Sequence, residues 1–220
     1  MEYSLHYMFR SGLAVDIKGQ RELFRIAPQT ATVKLSEIDP ELVMSRPKVD
    51  RMFQDQDFAG FLSRMFAFTG ILNWLDIQGA WTFVLFPSTG WGRYYTINIG
   101  THEVAFATLP RDGVAPQHCI LVDRLIYDFP EVERWLSKRK GGFDEGRYAS
   151  ALPRSVSVIF EGGFDDAAEF LTLDGVRRAL IAYWTEALVG LKERGASSMF
   201  ARFHNWNAVR EIRNRAIARV

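Results

Sequence analysis

Thiols are nearly absent from this sequence: its 220 residues include one cysteine, Cys119. No intramolecular disulfide can form, which excludes a disulfide-stapled secreted scaffold and points to a reducing, cytoplasmic setting. The same scarcity excludes any zinc site that needs two thiolates. Net charge is almost absent too, with 27 basic side chains against 26 acidic ones. A global field that would draw in nucleic acid or an anionic membrane is therefore missing, and only local patches could do so. Long apolar runs are also lacking. The richest window, Phe61 to Leu75, is broken by Ser63, Arg64, Thr69, Gly70 and Asn73, whereas a membrane span needs about 20 apolar residues. The opening residues, Met1 to His6, show no basic stretch followed by an apolar one, so no signal peptide is expected.

What is abundant is aromatic. With 17 Phe, 7 Tyr and 6 Trp, the core should be built from rings, each of which removes a large apolar area from water. The length suits one domain at the upper end of the usual range, large enough to fold without a staple. A single α+β domain over 1–220 is expected, with a division near residue 48 as the alternative.

Local patterns fill in that expectation. Leu13, Val15 and Ile17 alternate with polar neighbours, Glu22 to Ile26 reads as a hairpin partner, and Ala31, Val33 and Leu35 share a face. These predict a small antiparallel meander over 12–35. Asp39-Pro40-Glu41 and Asp55 or Asp57 are helix-start signals. The second introduces Phe58, Phe61, Leu62, Met65 and Phe66 at helical spacing, with Gly70 as the stop. Trp81, Phe83 and Leu85, then Tyr95, Ile97 and Ile99, alternate as the two arms of a hairpin. Val104 to Ala107, Cys119 to Ile126 and Ser155 to Phe160 predict further strands, and Leu109 to Gln117 an exposed loop. Helices are predicted over 131–140, 165–171, 173–194 and 205–219. The predicted architecture is a mostly antiparallel sheet with helices on one face and a helical C-terminal third.

Catalytic motifs are fragments. Asp16-Ile17-Lys18 has the carboxylate and lysine of one half of a metal-dependent nuclease site, but only Glu2 precedes it as a further acid. Asp76-Ile77-Gln78 is a similar fragment. His102 beside Glu103 at a strand end has the make-up of a general base and its orienting carboxylate. Cys119 beside His118 offers a thiol next to a base, although burial in a strand suits a free cysteine better. No two histidines stand four apart on a helix, so the zincin pair is missing. The pairs Gly141-Gly142 and Gly162-Gly163 lack the spacing of phosphate loops and suit a helix stop and a turn. No pattern calls for a cofactor.

The most unusual stretch is Ser198 to Val220, where Arg202, Arg210, Arg213, Arg215 and Arg219 meet one acid, Glu211, and Phe200, Phe203, His204 and Trp206 are interleaved. Arg202, Trp206, Arg210 and Arg213 follow one another by four, four and three residues, so a single helix would show them on one face. Trp and Arg dominate the energetics of protein interfaces, and the same mixture can stack on nucleic-acid bases. These four are the candidate binding residues. The expected role is a non-catalytic, immunity-like or accessory protein that binds another protein. The alternatives are nucleic acid bound through this segment, or a metal-dependent enzyme acting on nucleic acid or a nucleotide.

One ordered set of residues also carries a resemblance. Ile77-Gln78 is followed by Tyr94-Tyr95-Thr96-Ile97-Asn98-Ile99-Gly100, Cys119, Arg124-Leu125 and Trp135. This set is similar to a family of bacterial domains of unknown function, over roughly residues 50 to 170. Lys-Ser does not follow Gln78 here, and the N-terminal meander lies outside the match. The resemblance implies an α+β fold whose matched strands share one sheet.

Overall fold

The computed structural model describes residues 27–30, 40–74, 80–87, 92–146, 154–194 and 203–217. The chain divides into two compact units, Met1–Pro47 and Lys48–Val220. In the first unit the described residues are helical at 28–30 and form the start of helix α1, Pro40–Gln54. The meander expected over 12–35 lies largely outside the described residues.

The second unit is α+β. Its helices are α2 (Gln56–Thr69), α3 (Pro130–Ser137), α4 (Phe164–Phe170), α5 (Asp174–Arg194) and α6 (Trp206–Ile217). Its strands are β1 (Trp81–Leu85), β2 (Arg93–Ile99), β3 (His102–Thr108), β4 (Gln117–Asp123), β5 (Gly142–Asp144) and β6 (Ser155–Glu161). They make one six-stranded sheet in the order β1-β2-β3-β4-β6-β5, and every pairing is antiparallel. Strands β2 and β4 share this sheet, while Ile77-Gln78, which the resemblance also expects in it, lies outside the described residues. Among the described residues no helix is long and apolar enough to cross a membrane.

Register decides which side chains share a face. Phe83 pairs with Ile97, Tyr95 with Ala107, Ala107 with His118, and His118 with Phe160. This face is the ring-built core. Phe58 and Phe61 of α2 meet Tyr95 at 6.0 Å between ring centroids, and Trp135 of α3 and Phe170 of α4 each meet Phe160 at 5.0 Å. Helix α5 joins through α2 and β4, where the Trp184 indole N–H donates to the Leu121 carbonyl at 3.1 Å. The opposite face is mixed, burying Phe106, Cys119 and Leu121 together with Thr82, Asn98, Ser155 and Ser157.

Helix ends follow their local chemistry. The Asp55 carboxylate accepts from the Phe58 N–H at 2.9 Å and caps α2, and Gly70 closes it at φ +63°, a conformation that favours glycine. Asp55→Ala should therefore cost about 1 kcal/mol, readable as a lower urea midpoint at unchanged slope. At β4 the structure departs from the predicted strand over 119–126. The Asp123 side chain accepts from the Leu125 N–H at 2.9 Å, which turns the chain into a 3-10 helix, Arg124–Asp128. Strand β5 has only three residues, too few for a period to stand out in the sequence, and is defined by its pairing with β6.

Candidate functional site

The final helix is tied to the sheet before it begins. Strand β1 is an edge, and its even-numbered residues turn to β2: the Ala80 carbonyl accepts from Gly100, and the Phe86 N–H donates to Tyr94. Phe83 and Leu85 direct their backbone groups outward, where His204 and Asn205 meet them. The Phe83 N–H donates to His204 Nδ1 at 3.1 Å, the Phe83 carbonyl accepts from the Asn205 N–H at 2.8 Å, and the Leu85 N–H donates to Asn205 Oδ1 at 2.6 Å. Two residues thus occupy the place of a neighbouring strand. Asn205 is the residue that would ordinarily cap α6, but its side chain serves the sheet instead. Because Nδ1 accepts, the His204 ring is neutral with its proton on Nε2. Burial pushes its pKa from 6.5 down to about 4, against an opposing pull from the Trp81 carbonyl.

This anchor fixes which way α6 faces. Ala208, Val209 and Ile212 are fully buried against the core. Trp206 is half-buried, its ring 4.0 Å from that of His204, while Arg210 and Arg213 are exposed. Successive residues advance about 100° around a helix, so Trp206, Arg210 and Arg213 lie within one narrow sector that flanks the buried side next to Val209. Arg202 lies outside the described residues. The remaining described arginine of the run, Arg215, has a different job: it pairs with Glu211 at 2.9 Å and stands over the Phe53 ring at 3.5 Å.

Arg215 also borders a half-open groove of about 500 Å³ between α2 and α4, floored by Phe61 and Phe164. Asp57, Arg64 and Asp165 bring both signs of charge to its rim. They form no nucleophile–base pair among themselves. His118 lies behind the two floor rings, with centroids 5.8 and 5.2 Å away, and stacks on Phe160 at 4.9 Å. Its Nε2–H donates to the Gly162 carbonyl at 3.2 Å, and burial lowers its pKa to about 4.

The catalytic fragments do not assemble among the described residues. Asp16, Lys18 and Asp76 lie outside them. No group of three or more His, Cys, Asp or Glu side chains is placed to hold a metal ion there. Glu103 forms an ion pair with Arg93, whose guanidinium also covers the Phe106 ring at 4.0 Å. Cys119 is buried in β4, and the alternation of a strand turns it to the face opposite His118. The glycine pairs are structural. A Cβ at Gly162 would stand 2.9 Å from Asp166, whose carboxylate accepts from the Gly163 N–H at 3.1 Å to open α4.

No family model, curated protein or solved structure matches this chain.

Proposed function

We propose that this chain is a non-catalytic binding protein that contacts another protein through the outer face of α6. The observation that supports this is the division of labour on that helix. One side is fixed to the β1 edge and the core, while Trp206, Arg210 and Arg213 stand together along its flank. A surface tryptophan beside two exposed arginines has the make-up of an interface centre, since a rigid ring and guanidinium groups lose little freedom on contact. A scaffold held by three hydrogen bonds presents them already ordered, which lowers the entropic cost of association.

Arg210→Glu with Arg213→Glu changes only exposed positions and should leave stability within about 0.5 kcal/mol of the parent. The immobilised parent chain should retain one protein in stoichiometric amount, and the double variant should lose it. Retention of that protein by the double variant would overturn the reading. So would a bound species that is nucleic acid and is shed steeply between low and moderate salt.

A further inference from the structure

The outer edge of β1 is two-fold symmetric about Phe83. Its odd-numbered residues face outward, so the edge offers the N–H groups of Leu85 and Phe83 and the carbonyls of Phe83 and Trp81. Set antiparallel against an identical edge, each Phe83 exchanges both bonds with its counterpart, and each Leu85 N–H meets a Trp81 carbonyl. The strand Trp-Thr-Phe-Val-Leu has no charge, proline or glycine, the features that natural edges use to prevent such pairing. Among the described residues, the pair His204 and Asn205 covers this edge. We propose that the segment Phe203–Ile217 is a detachable clamp over this edge, and that β1, once uncovered, pairs with β1 of a second copy of this chain.

The clamp has a built-in release. The bond from the Phe83 N–H requires a lone pair on His204 Nδ1, and a doubly protonated imidazole has none. The group that titrates is this ring. From β1 it is faced by Trp81 (centroids 4.9 Å apart), and from the start of α6 by Trp206. Neither β1 nor residues 203–209 carry another titratable side chain. Helix α2, which packs on α6, has Asp57 and Arg64 as its titratable groups and turns both toward the groove that Arg215 lines. Glu211 is engaged by Arg215. Among the described residues no carboxylate is therefore placed to hold the protonated ring where it is. Burial, which lowers the ring's pKa, opposes the charge as well, so acid favours the detached state.

Amide hydrogen exchange and sedimentation equilibrium on the full chain test both halves. After correction for intrinsic exchange, the amides of Phe83 and Leu85 should open more readily than those of Ile120 and Val158 at every pH. Their opening should rise about twentyfold between pH 7 and pH 5, the response of one proton taken up with an open-state pKa of 6.5. His204→Ala should raise their exchange already at pH 7 and remove that pH response. A concentration-dependent dimer should appear for the parent near pH 5 and for His204→Ala at pH 7. Asn205→Ala, which keeps the histidine, should loosen the same two amides yet retain the pH response. Equal opening free energies for the edge and the central sheet would overturn the clamp. A monomer at both pH values in parent and variants, with the edge amides opening as expected, would overturn the pairing.

Discussion

Lowering the pH from 7 to 4 should remove several kcal/mol of folding free energy, with two histidines responsible for a large share. His118 and His204 both fold as neutral rings with pKa values lowered from 6.5 to about 4. Burial is the leading cause for each. The carbonyl of Gly162 pulls back toward the charged form for His118, and that of Trp81 does so for His204. In the unfolded chain each ring takes up a proton as the pH falls below 6.5, while in the folded chain it does so only near 4. The contribution is therefore complete above 6.5 and is lost as the pH falls through about 4. Each ring is worth on the order of 3 kcal/mol over that window, with a slope of about 1.4 kcal/mol per pH unit. Urea unfolding at intervals from pH 7 to 4 reads this directly. Replacing either histidine by glutamine should flatten the dependence by about one proton. An unchanged slope would show that the rings do not fold in the neutral form.

Trp184→Ala should cost about 3–5 kcal/mol, the usual loss on emptying a large aromatic site, and leave Leu121 without a donor. The ring is fully buried on α5, and its N–H reaches the Leu121 carbonyl on β4. Trp184→Phe separates the two effects. It keeps most of the buried ring and removes only the donor, so it should cost about 1–3 kcal/mol. Chemical denaturation of the three proteins checks the ranking. Near-equal stability of the two variants would mean that the hydrogen bond, rather than the ring volume, secures α5 to the sheet. The contrast with Trp206 is the informative one. That ring is half-exposed, so its truncation should fall well below the loss at Trp184.

Much of the frame was legible locally because it depends on short-range periodicity. The alternation of Trp81 to Leu85 and of Tyr95 to Ile99, the helical spacing from Phe58 to Phe66 and the stop at Gly70 all appear in the structure close to where the pattern places them. So does the exposed loop after β3. Apolar residues continue past Asp123 and so predict a strand through Ile126, but the strand ends at Asp123. The decisive event there is one side-chain oxygen accepting from the backbone two residues on. The face shared by Trp206, Arg210 and Arg213 followed from spacing alone, since helix geometry is fixed at 3.6 residues per turn.

The sequence by itself determined an aromatic core, an α+β class and an arginine-rich final helix, because these follow from composition and from periods of two and 3.6. Only the tertiary structure decided how that helix is held and which arginines it leaves outside. Asn205 and His204 stand 120 and 121 residues from the strand positions they serve, and no local pattern marks a side chain as the substitute for a missing strand. A cap-forming asparagine in front of a helix looks the same whether it satisfies its own helix or a distant edge. The choice rests on which donors lie unpaired nearby, and that is set by the fold: β1 ends the sheet, and its outward N–H groups need acceptors.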